Sequence, residues 1–360
     1  MNHSIGENIF RLRISSNLTQ DEIAKNLEIT RANYSKLEKG ESVPRSSTIQ
    51  KIAKFYKIKP DDLLKEIEKP EGIRFRIKSI NTKIKQTQRE QIIQLFSIYL
   101  SDYTEILELL NSQSKYIFSK EKFKNPKEAA LKVRSILELR DDEPIIDICG
   151  LLEKIGIHLI FIESSLDEFF GLSQNSSNSN PTIGINNNSK ISVERKIFTI
   201  AHELGHILLH PISFQSEEKL EIEKEEKEAD EFASYFLFPD KGLWKEWNKR
   251  KGLSFVDKII QIKRIYKISY LTVLYRLQKS KSIPYNPFVI FNKNYKKKFS
   301  KHEEPDGLTT YDFSEEKFPS LIKEAFLQEK ISFSRTAELL KISNNQMREL
   351  SNFWYMELDK

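Results

Sequence analysis

Apolar residues recur at three- and four-residue spacing along most of the chain, which predicts a largely helical protein. In the first 69 residues they form short clusters separated by polar turns, as in a set of short packed helices. Longer stretches with dense helical spacing follow, at residues 91–111, 126–137, 145–155, 197–209 and 256–278. Most of the helical faces are amphipathic, so we expect them to pack on common cores.

Three short stretches interrupt the helical spacing and predict strands, namely Ile157–Phe161, Phe170–Ser173 and Thr182–Asn186. Near the C-terminus the pattern returns to helices, at Phe318–Phe326, Ser334–Leu340 and Asn345–Phe353. The predicted fold class is therefore α+β and multidomain. An all-helical N-terminal domain precedes a domain with a small sheet and one long apolar helix, and a helical C-terminal region ends the chain.

Composition narrows the class of protein. The chain has 360 residues, 31% of them charged, with a net charge of +6. Cys149 is the single cysteine, which excludes an internal disulfide and a thiolate zinc site. The sequence has no signal-peptide pattern and no apolar run long enough to span a membrane. We expect a cytoplasmic protein without a membrane partner, and the mild basicity is compatible with nucleic acid.

The pattern predicts four segments: 1–69, a basic linker and helical bridge at 70–125, 126–286, and a C-terminal region at 287–360 of unassigned role. Between Gly72 and Arg89 there are six basic residues and no acidic one, namely Arg74, Arg76, Lys78, Lys83, Lys85 and Arg89. A solvated linker is the favoured interpretation, and a phosphate-contacting arm is the alternative.

Turn chemistry organises the first segment. Thr19 and Glu22 form a capping box that opens one short helix. Thr30 can cap the next helix, and Gly40 can end it. A short helix, a tight turn and a second short helix make the plan of a helix-turn-helix.

The same segment strongly resembles the Cro/XRE-type helix-turn-helix family. The likeness is carried by Leu18-Thr19-Gln20-Asp21-Glu22-Ile23-Ala24, Tyr34-Ser35-Lys36-Leu37-Glu38-Lys39-Gly40 and Ile52-Ala53. It implies that the helix beginning at Thr30 enters the major groove of double-stranded DNA. Arg31, Asn33 and Lys36 would then meet bases or phosphates. Thr30, at the start of that helix, is a further candidate DNA contact, and Gln20 and Arg45 would meet the DNA backbone.

A helical protein-interaction module is the alternative for this segment. Its charge is modest, with thirteen Lys and Arg against ten Asp and Glu in residues 1–69. A monomer with that charge should bind DNA weakly, so we expect a homodimer that reads two half-sites.

The apolar run 197–209 contains His202-Glu203-Leu204-Gly205-His206. On a helix, His202 and His206 lie on one face and can share a zinc ion. Glu203 lies one residue on, from where it can reach a water molecule on the metal and act as its base. The motif is short, and an ordinary surface helix is the alternative.

A catalytic zinc needs a third protein ligand. His210 continues the spacing, but it lies about 12 Å from His202 along a helix, so one ion cannot hold both. The acidic segment Glu217–Glu231 offers carboxylates on an inward stripe of Ile222, Glu226, Ala229, Asp230, Ala233 and Leu237. We predict Glu226 as the ligand, with Asp230 orienting a histidine. Glu225 is the main rival.

Together with Glu226-Lys227-Glu228-Ala229-Asp230-Glu231-Phe232-Ala233 and Pro239, the histidine motif resembles the ImmA/IrrE family of zinc metallopeptidases. The resemblance covers roughly Pro126–Leu277. It implies zinc on His202, His206 and Glu226, and Glu203 as general base. The sequence carries no signal for an oxyanion donor; a His or Tyr from elsewhere could serve, with Tyr235 as a candidate.

The zincin analogy suggests a substrate strand along an exposed sheet edge, with Pro181–Asn186 as the candidate edge and a buried hairpin arm as the equal alternative. The loop Gln174–Asn180 is a candidate cover for the site, by its position before the metal helix.

The leading functional hypothesis is a DNA-binding regulator fused to a zinc-dependent metalloendopeptidase. Members of the resembled family cleave helix-turn-helix repressors, in stress or mobile-element control. The expected protein substrate is therefore such a repressor, a toxin or antitoxin protein, or another copy of this chain. The alternative is a non-catalytic regulator whose zinc domain senses metal or stress. The presence of Glu203 favours the enzyme.

Overall fold

The structure is a computed structural model of the chain. It describes residues 2–16, 18–56, 60–64, 70–77, 86–119, 121, 123–166, 168–176, 179–214, 223–281, 283, 286–295, 304–313 and 316–358. Some predicted features lie outside these residues: Lys78, Lys83 and Lys85 of the basic run, residues 217–222 of the acidic segment, and residues 177–178 of the candidate covering loop.

Most of the described chain is helical, with one small sheet. The helices are α1 (Asn2–Ser15), α2 (Gln20–Asn26), α3 (Arg31–Glu38), α4 (Ser46–Tyr56), α5 (Gln86–Leu110), α6 (Pro126–Ile136), α7 (Ile148–Lys154), α8 (Val193–Leu209), α9 (Glu223–Leu237), α10 (Asp240–Lys249), α11 (Phe255–Tyr266), α12 (Tyr270–Ser280), α13 (Pro287–Tyr295), α14 (Lys317–Leu327), α15 (Phe333–Leu339) and α16 (Asn344–Leu358). The strands are β1 (Ile73–Ile77), β2 (His158–Ile162), β3 (Phe169–Gln174) and β4 (Thr182–Asn186). Among the described helices, none combines the length and apolarity needed to cross a membrane.

The chain forms two compact units, and each is assembled from separate stretches of sequence. The first unit contains Met1–Lys69, Gln86–Gln113 and Glu316–Lys360. The second contains Pro70–Lys85 and Ser114–Glu315. The α+β class is confirmed. The four-segment division stays a prediction, and the discontinuous grouping is a feature that the sequence pattern did not suggest.

In the first unit, the N-terminal helices form as their turn chemistry predicts. The capping box of Thr19 and Glu22 is present, and Thr30 Oγ1 accepts a hydrogen bond from the backbone N–H of Asn33. Gly40 follows α3 with a φ of 68°, a conformation that glycine adopts without a Cβ clash. The four short helices enclose a core whose members are almost fully buried, including Ile9, Ile23, Tyr34, Ile52 and Leu63.

The other elements that the structure describes in the first unit are also helices. The stretch 91–111, predicted to be helical, lies in the single helix α5 up to Leu110. Its apolar face, with Tyr103 and Ile106, packs with the three C-terminal helices, which are present as predicted. Arg335 of α15 pairs with Asp102 and Glu105 of α5. The C-terminal helices therefore share a core with α5.

The second unit is built on a four-stranded sheet with the order β1-β3-β4-β2. Strand β3 runs antiparallel to β1 and β4, while β2 and β4 are parallel. All residues of β4 are buried between two neighbouring strands. The prediction of Pro181–Asn186 as an exposed edge is therefore wrong, and the buried-hairpin alternative is correct. Strand β1 lies in the basic run, where no strand was predicted.

Helix α8 packs on this sheet and against α9, which places both helices in the main core. An ion pair near the start of α8 is completely buried. Lys263 Nζ of α11 lies 2.8 Å from Glu194 Oε1, and both side chains have 0% exposure. The same ammonium group donates to the carbonyl oxygens of Pro305 and Asp306, so the charge is compensated by several acceptors.

Candidate metal centre and nucleic-acid interface

Helix α8 carries the two histidines of the sequence motif. Ser192 caps its N-terminus by accepting a hydrogen bond from the N–H of Arg195. His202 and His206 are 1% and 2% exposed, and their Nε2 atoms are 2.9 Å apart. Their one-turn spacing turns both rings toward the same point, as the sequence predicts.

Glu226, in the first turn of α9, completes a group of three donors. Its Oε1 is 3.0 Å from His206 Nε2, and its Oε2 is 3.2 Å from His202 Nε2. Glu225, the rival, is held by Arg74 and by Ser213 Oγ. The Glu225 carboxylate also lies close to His206 and His210, and these three residues form a second set of possible metal ligands. Because its carboxylate is paired with a guanidinium, the group with Glu226 is the better candidate.

The donor set fits a divalent metal. The three donor atoms lie within 4.8 Å of one another, and tetrahedral zinc with bonds of ~2.1 Å separates its ligand atoms by about 3.4 Å. Burial lowers the pKa of His206 to about 3, which keeps its imidazole neutral as a ligand must be. Burial alone would raise the pKa of Glu226, but the close contacts of its carboxylate with the imidazoles of His202 and His206 outweigh it and lower that pKa.

Asp230 supports the first histidine. Its Oδ1 lies 2.8 Å from His202 Nδ1, although the carboxylate side chain is 54% exposed. A carboxylate on Nδ1 leaves Nε2 free for a metal and fixes the plane of the ring. The contact is the one predicted for Asp230 from the inward stripe.

His210 supports the second histidine, a role that the sequence did not suggest. It follows the last residue of α8 and is buried. Its Nδ1 is 3.1 Å from His206 Nδ1, and its Nε2 is 2.9 Å from Glu228 Oε2. If His210 donates to the Glu228 carboxylate from Nε2, its Nδ1 accepts from His206 and leaves His206 Nε2 as a metal donor. The sequence signal was the third histidine at four-residue spacing.

Glu203 is 1% exposed on the same helix. The hydroxyl of Ser173, on β3, donates to its Oε2 over 2.5 Å, and this side chain is also buried. Ser173 was missed because strand residues offer no local sign of their partner across the core. Tyr235 lies under the guanidinium of Arg276, 3.5 Å from the ring centre. Its oxyanion role stays a prediction.

Arg74 corrects the interpretation of the basic run. Its side chain is 11% exposed, pairs with Glu225, and lies 3.6 Å from Glu226. Its guanidinium also lies over the ring of Phe214. Arg74 is therefore not a solvated linker residue, and its guanidinium is not available for phosphate. It is held instead by the carboxylates of Glu225 and Glu226 at the candidate metal site.

On the first unit, α3 presents its polar side chains outward. Arg31, Asn33 and Lys36 are exposed, and Arg45 after the helix is exposed as well. Arg31 is 3.5 Å from Asp21, but both side chains are about two thirds exposed, at 65% and 67%. Such a pair is weak and can open for a ligand.

Two further predicted DNA contacts have partners within the fold. Gln20 is half-buried, and its amide donates to Glu38 over 2.6 Å. Arg13 pairs with the same carboxylate, which is buried. Thr30 uses its hydroxyl as the cap of α3. The structure thus leaves the ends of Arg31, Asn33, Lys36 and Arg45 available, and assigns Gln20 and Thr30 a structural contact.

Comparison with known families matches both regions. Residues 152–278 match the IrrE N-terminal-like domain of the M78 peptidases, and residues 9–63 match a helix-turn-helix family. The first match includes the histidines and Glu226 but begins after β1. The predicted fusion of a Cro/XRE-type helix-turn-helix with an ImmA/IrrE-type region is therefore confirmed.

Two curated proteins are similar to part of the chain. The HTH-type transcriptional activator BcrR of Enterococcus faecalis is 36% identical over 58 residues, which is 16% of this chain and 28% of that protein. The cryptic phage CTXphi transcriptional repressor RstR of Vibrio cholerae is 28% identical over 91 residues, which is 25% of this chain and 81% of that protein. These findings support a DNA-binding regulator that carries a protease-like domain.

Proposed function

We propose that the chain is a transcriptional regulator that binds double-stranded DNA and has zinc-dependent endopeptidase activity. The observation that carries the proposal is the convergence of His202, His206 and Glu226, with Glu203 buried on the same helix. A site kept only for structure has no need of a carboxylate next to the ligand histidines. The helix-turn-helix region supports the regulatory part.

In this proposal, His202, His206 and Glu226 would hold zinc, which supplies Lewis-acid chemistry and lowers the pKa of water toward ~7. Glu203 takes the proton of the attacking water on its carboxylate and returns it to the nitrogen of the leaving amine. Ser173 fixes the orientation of that carboxylate through its hydrogen bond. Asp230 and His210 hold the two imidazole rings.

The proposed substrate is a helix-turn-helix repressor, either a separate protein or another copy of this chain. Similarity to a phage transcriptional repressor supports a regulatory context. A non-catalytic metal or stress sensor is the competing hypothesis. It predicts that a variant without the base, still loaded with metal, behaves as the wild type does.

The enzymatic proposal is tested with purified wild type and Glu203→Gln, each loaded with zinc and checked for zinc content. Both are incubated alone and with helix-turn-helix proteins encoded beside the gene, and products are identified by mass spectrometry. We expect specific cleavage by the wild type and at least a hundredfold slower cleavage by the variant. Equal rates at equal zinc content would reject the peptidase and favour the sensor.

The DNA proposal is tested by a mobility-shift titration on the promoter of the gene itself. Arg31→Ala and Asn33→Ala should each weaken specific binding by about 5- to 150-fold, as expected for a lost bidentate base contact of ~1–3 kcal/mol. Lys54→Ala is the matched control, because Lys54 is exposed on α4 and its loss removes the same charge as Arg31→Ala. If the Arg31 and control variants weaken binding equally, α3 is not the reading helix.

The proposal includes a homodimer, because the modest charge of residues 1–69 favours two half-sites. Analytical ultracentrifugation with and without a DNA site measures this directly. A complex that contains one chain per specific site would contradict the dimer and leave the choice of reading helix open.

A further inference from the structure

Strand β1 lies on the outer side of β3, and β3 is the strand that contacts Glu203 through Ser173. The family match begins at residue 152, so it includes β2, β3 and β4 but not Ile73–Ile77. Within the matched region alone, β3 would be an edge strand with free backbone groups beside the candidate site. The chain fills that edge with a segment that comes from outside the matched domain.

The register of β1 places one side chain at the metal group. Arg74 is paired with Ser173 across the two antiparallel strands. Residues directly opposite each other on antiparallel strands have their side chains on the same face of the sheet, so Arg74 shares the face of Ser173. The ion pair with Glu225 and the 3.6 Å approach to Glu226 agree with this orientation.

The two neighbours of Arg74 on β1 are apolar and buried. Ile73 is 2% exposed and Phe75 is 7% exposed, and the ring of Phe75 lies 6.2 Å from that of Phe169. An extended segment held by backbone pairing, with alternate side chains buried and one polar side chain turned to the site, is how a peptide binds to a sheet edge. Here the bound segment belongs to the same chain.

We propose that the outer edge of β3 is the peptide-binding edge of the proposed peptidase, and that β1 is its resting occupant, which a substrate must displace. This inference rests on the proposed peptidase function, and the structural observation behind it is the pairing of β1 with β3. It also names a substrate class: an extended segment with a long basic side chain between two apolar ones, as in Ile73-Arg74-Phe75.

Because β1 is covalently part of the chain, it competes strongly with an added peptide for the edge of β3. An intramolecular segment acts at an effective concentration on the order of mM. For a peptide with an intrinsic Kd of about 10 µM, such an occupant weakens the apparent affinity roughly 100-fold. A substrate therefore gains access when β1 is released or when the substrate binds with much higher affinity.

The test measures binding of a fluorescein-labelled peptide with the sequence of residues 70–77 to the full-length, zinc-loaded chain. The Glu203→Gln background prevents cleavage during the titration. In the released variant, Arg74→Glu with Phe75→Asp, the first change repels Glu225 and Glu226 and the second removes the apolar contact. Glu71→Gln is the control, because Glu71 is exposed in the same segment.

We expect the released variant to bind the peptide about 100-fold more tightly than the background protein and the control. A peptide with glutamate in place of Arg74 should bind at least tenfold more weakly than the native sequence. If the folded released variant, verified by its thermal melt and zinc content, binds no more tightly than the background protein, β1 is a permanent structural strand and the proposal is wrong.

An engineered disulfide between β1 and β3 gives a second test, because it can hold β1 on β3 when oxidised and release it when reduced. Asn175 N–H donates to the Gly72 carbonyl, so the next pair, Ile73 and Gln174, is of the type without mutual backbone hydrogen bonds, where side chains approach most closely. In Ile73→Cys with Gln174→Cys, oxidation should abolish binding of the peptide, and reduction should restore it. Equal binding in both states, or none in either, overturns the proposal.

Because both tests measure binding, they are independent of cleavage. Peptide binding as expected, together with absence of cleavage by the chain that contains Glu203, would reject the peptidase and retain β1 as the occupant of a peptide site. Cleavage by Glu203 without any effect of releasing or locking β1 would retain the peptidase and reject the inference.

Discussion

Gly205 lies between the two histidines, where α9 crosses α8. A Cβ at this position would lie 3.1 Å from Phe232 Cδ1, 3.2 Å from Ala229 Cα and 3.3 Å from the Ala229 carbonyl oxygen. Two of these atoms belong to the backbone of α9 and cannot rotate away. Gly205→Ala must therefore shift α9 by a few tenths of an ångström relative to α8.

The expected effect on stability is small, since two contributions oppose each other. Alanine in a helix interior is favoured over glycine by about 1 kcal/mol, whereas an extra methyl group in a packed core costs about 1–3 kcal/mol. The free energy of unfolding of the metal-free protein should thus fall by about 0–2 kcal/mol.

Glu226 lies three residues before Ala229 on the same helix, so the shift also moves its carboxylate away from the histidines. Loss of a group that merely orients a ligand costs about 10- to 100-fold in metal affinity. A displaced ligand should cost at least as much. We therefore expect zinc affinity to fall by about 10- to 100-fold, an effect larger than the change in stability.

Zinc affinity is measured by competition with a chromophoric chelator, and stability by urea unfolding of the metal-free protein. Gly252→Ala is the matched control, because no atom lies within 4 Å of its built Cβ, and it should leave zinc affinity unchanged. If Gly205→Ala lowers stability but binds zinc as the wild type does, α9 relaxes without moving Glu226 and the close-packing argument is refuted.

Three further outcomes follow from the second unit. Asp230→Ala should lower zinc affinity about 10- to 100-fold in the same competition assay, because His202 loses the partner on Nδ1. Burial lowers the pKa of His206 from 6.5 to about 3, so the unfolded chain takes up the proton first, and metal-free protein should lose about 1.4 kcal/mol per pH unit as pH falls below ~6.5. Urea unfolding at several pH values should show a smaller slope in His206→Gln, and an equal slope contradicts this assignment. Lys263→Met leaves the buried Glu194 carboxylate without its ammonium partner and should cost about 3–5 kcal/mol, whereas adding Glu194→Leu should recover much of that loss in thermal unfolding.

Local chemistry made much of the fold and part of the candidate site predictable. Thr19, Glu22 and Thr30 act through groups only three residues away, so their capping contacts could be read from the sequence. The positions of His202 and His206 follow from helix geometry. Glu226 and Asp230 could be selected because carboxylates on the apolar stripe of a helix need a partner, although the Asp230 side chain is 54% exposed.

The residues that were missed depend on pairing between distant parts of the chain. Ser173 reaches Glu203 from a strand thirty residues earlier, and Arg74 reaches Glu225 from 151 residues earlier. Strand register and sheet order set these contacts, and neither is specified by apolar spacing within one short segment. The same reason explains why β4 was wrongly predicted as an exposed edge strand. The alternating pattern of its side chains is compatible with both an edge and an internal position in the sheet.

The path of the backbone determines what a cut in the chain would do. The polypeptide passes from one compact unit to the other after Lys69, Lys85, Gln113 and Glu315. A nick within residues 70–85 yields two fragments that each contribute helices to the first unit, where α1 packs against α5 and α15. The nicked protein should therefore migrate as one species until denaturant is added. Cleavage there would release one of the two chain connections of β1 without separating the helix-turn-helix region from the first unit.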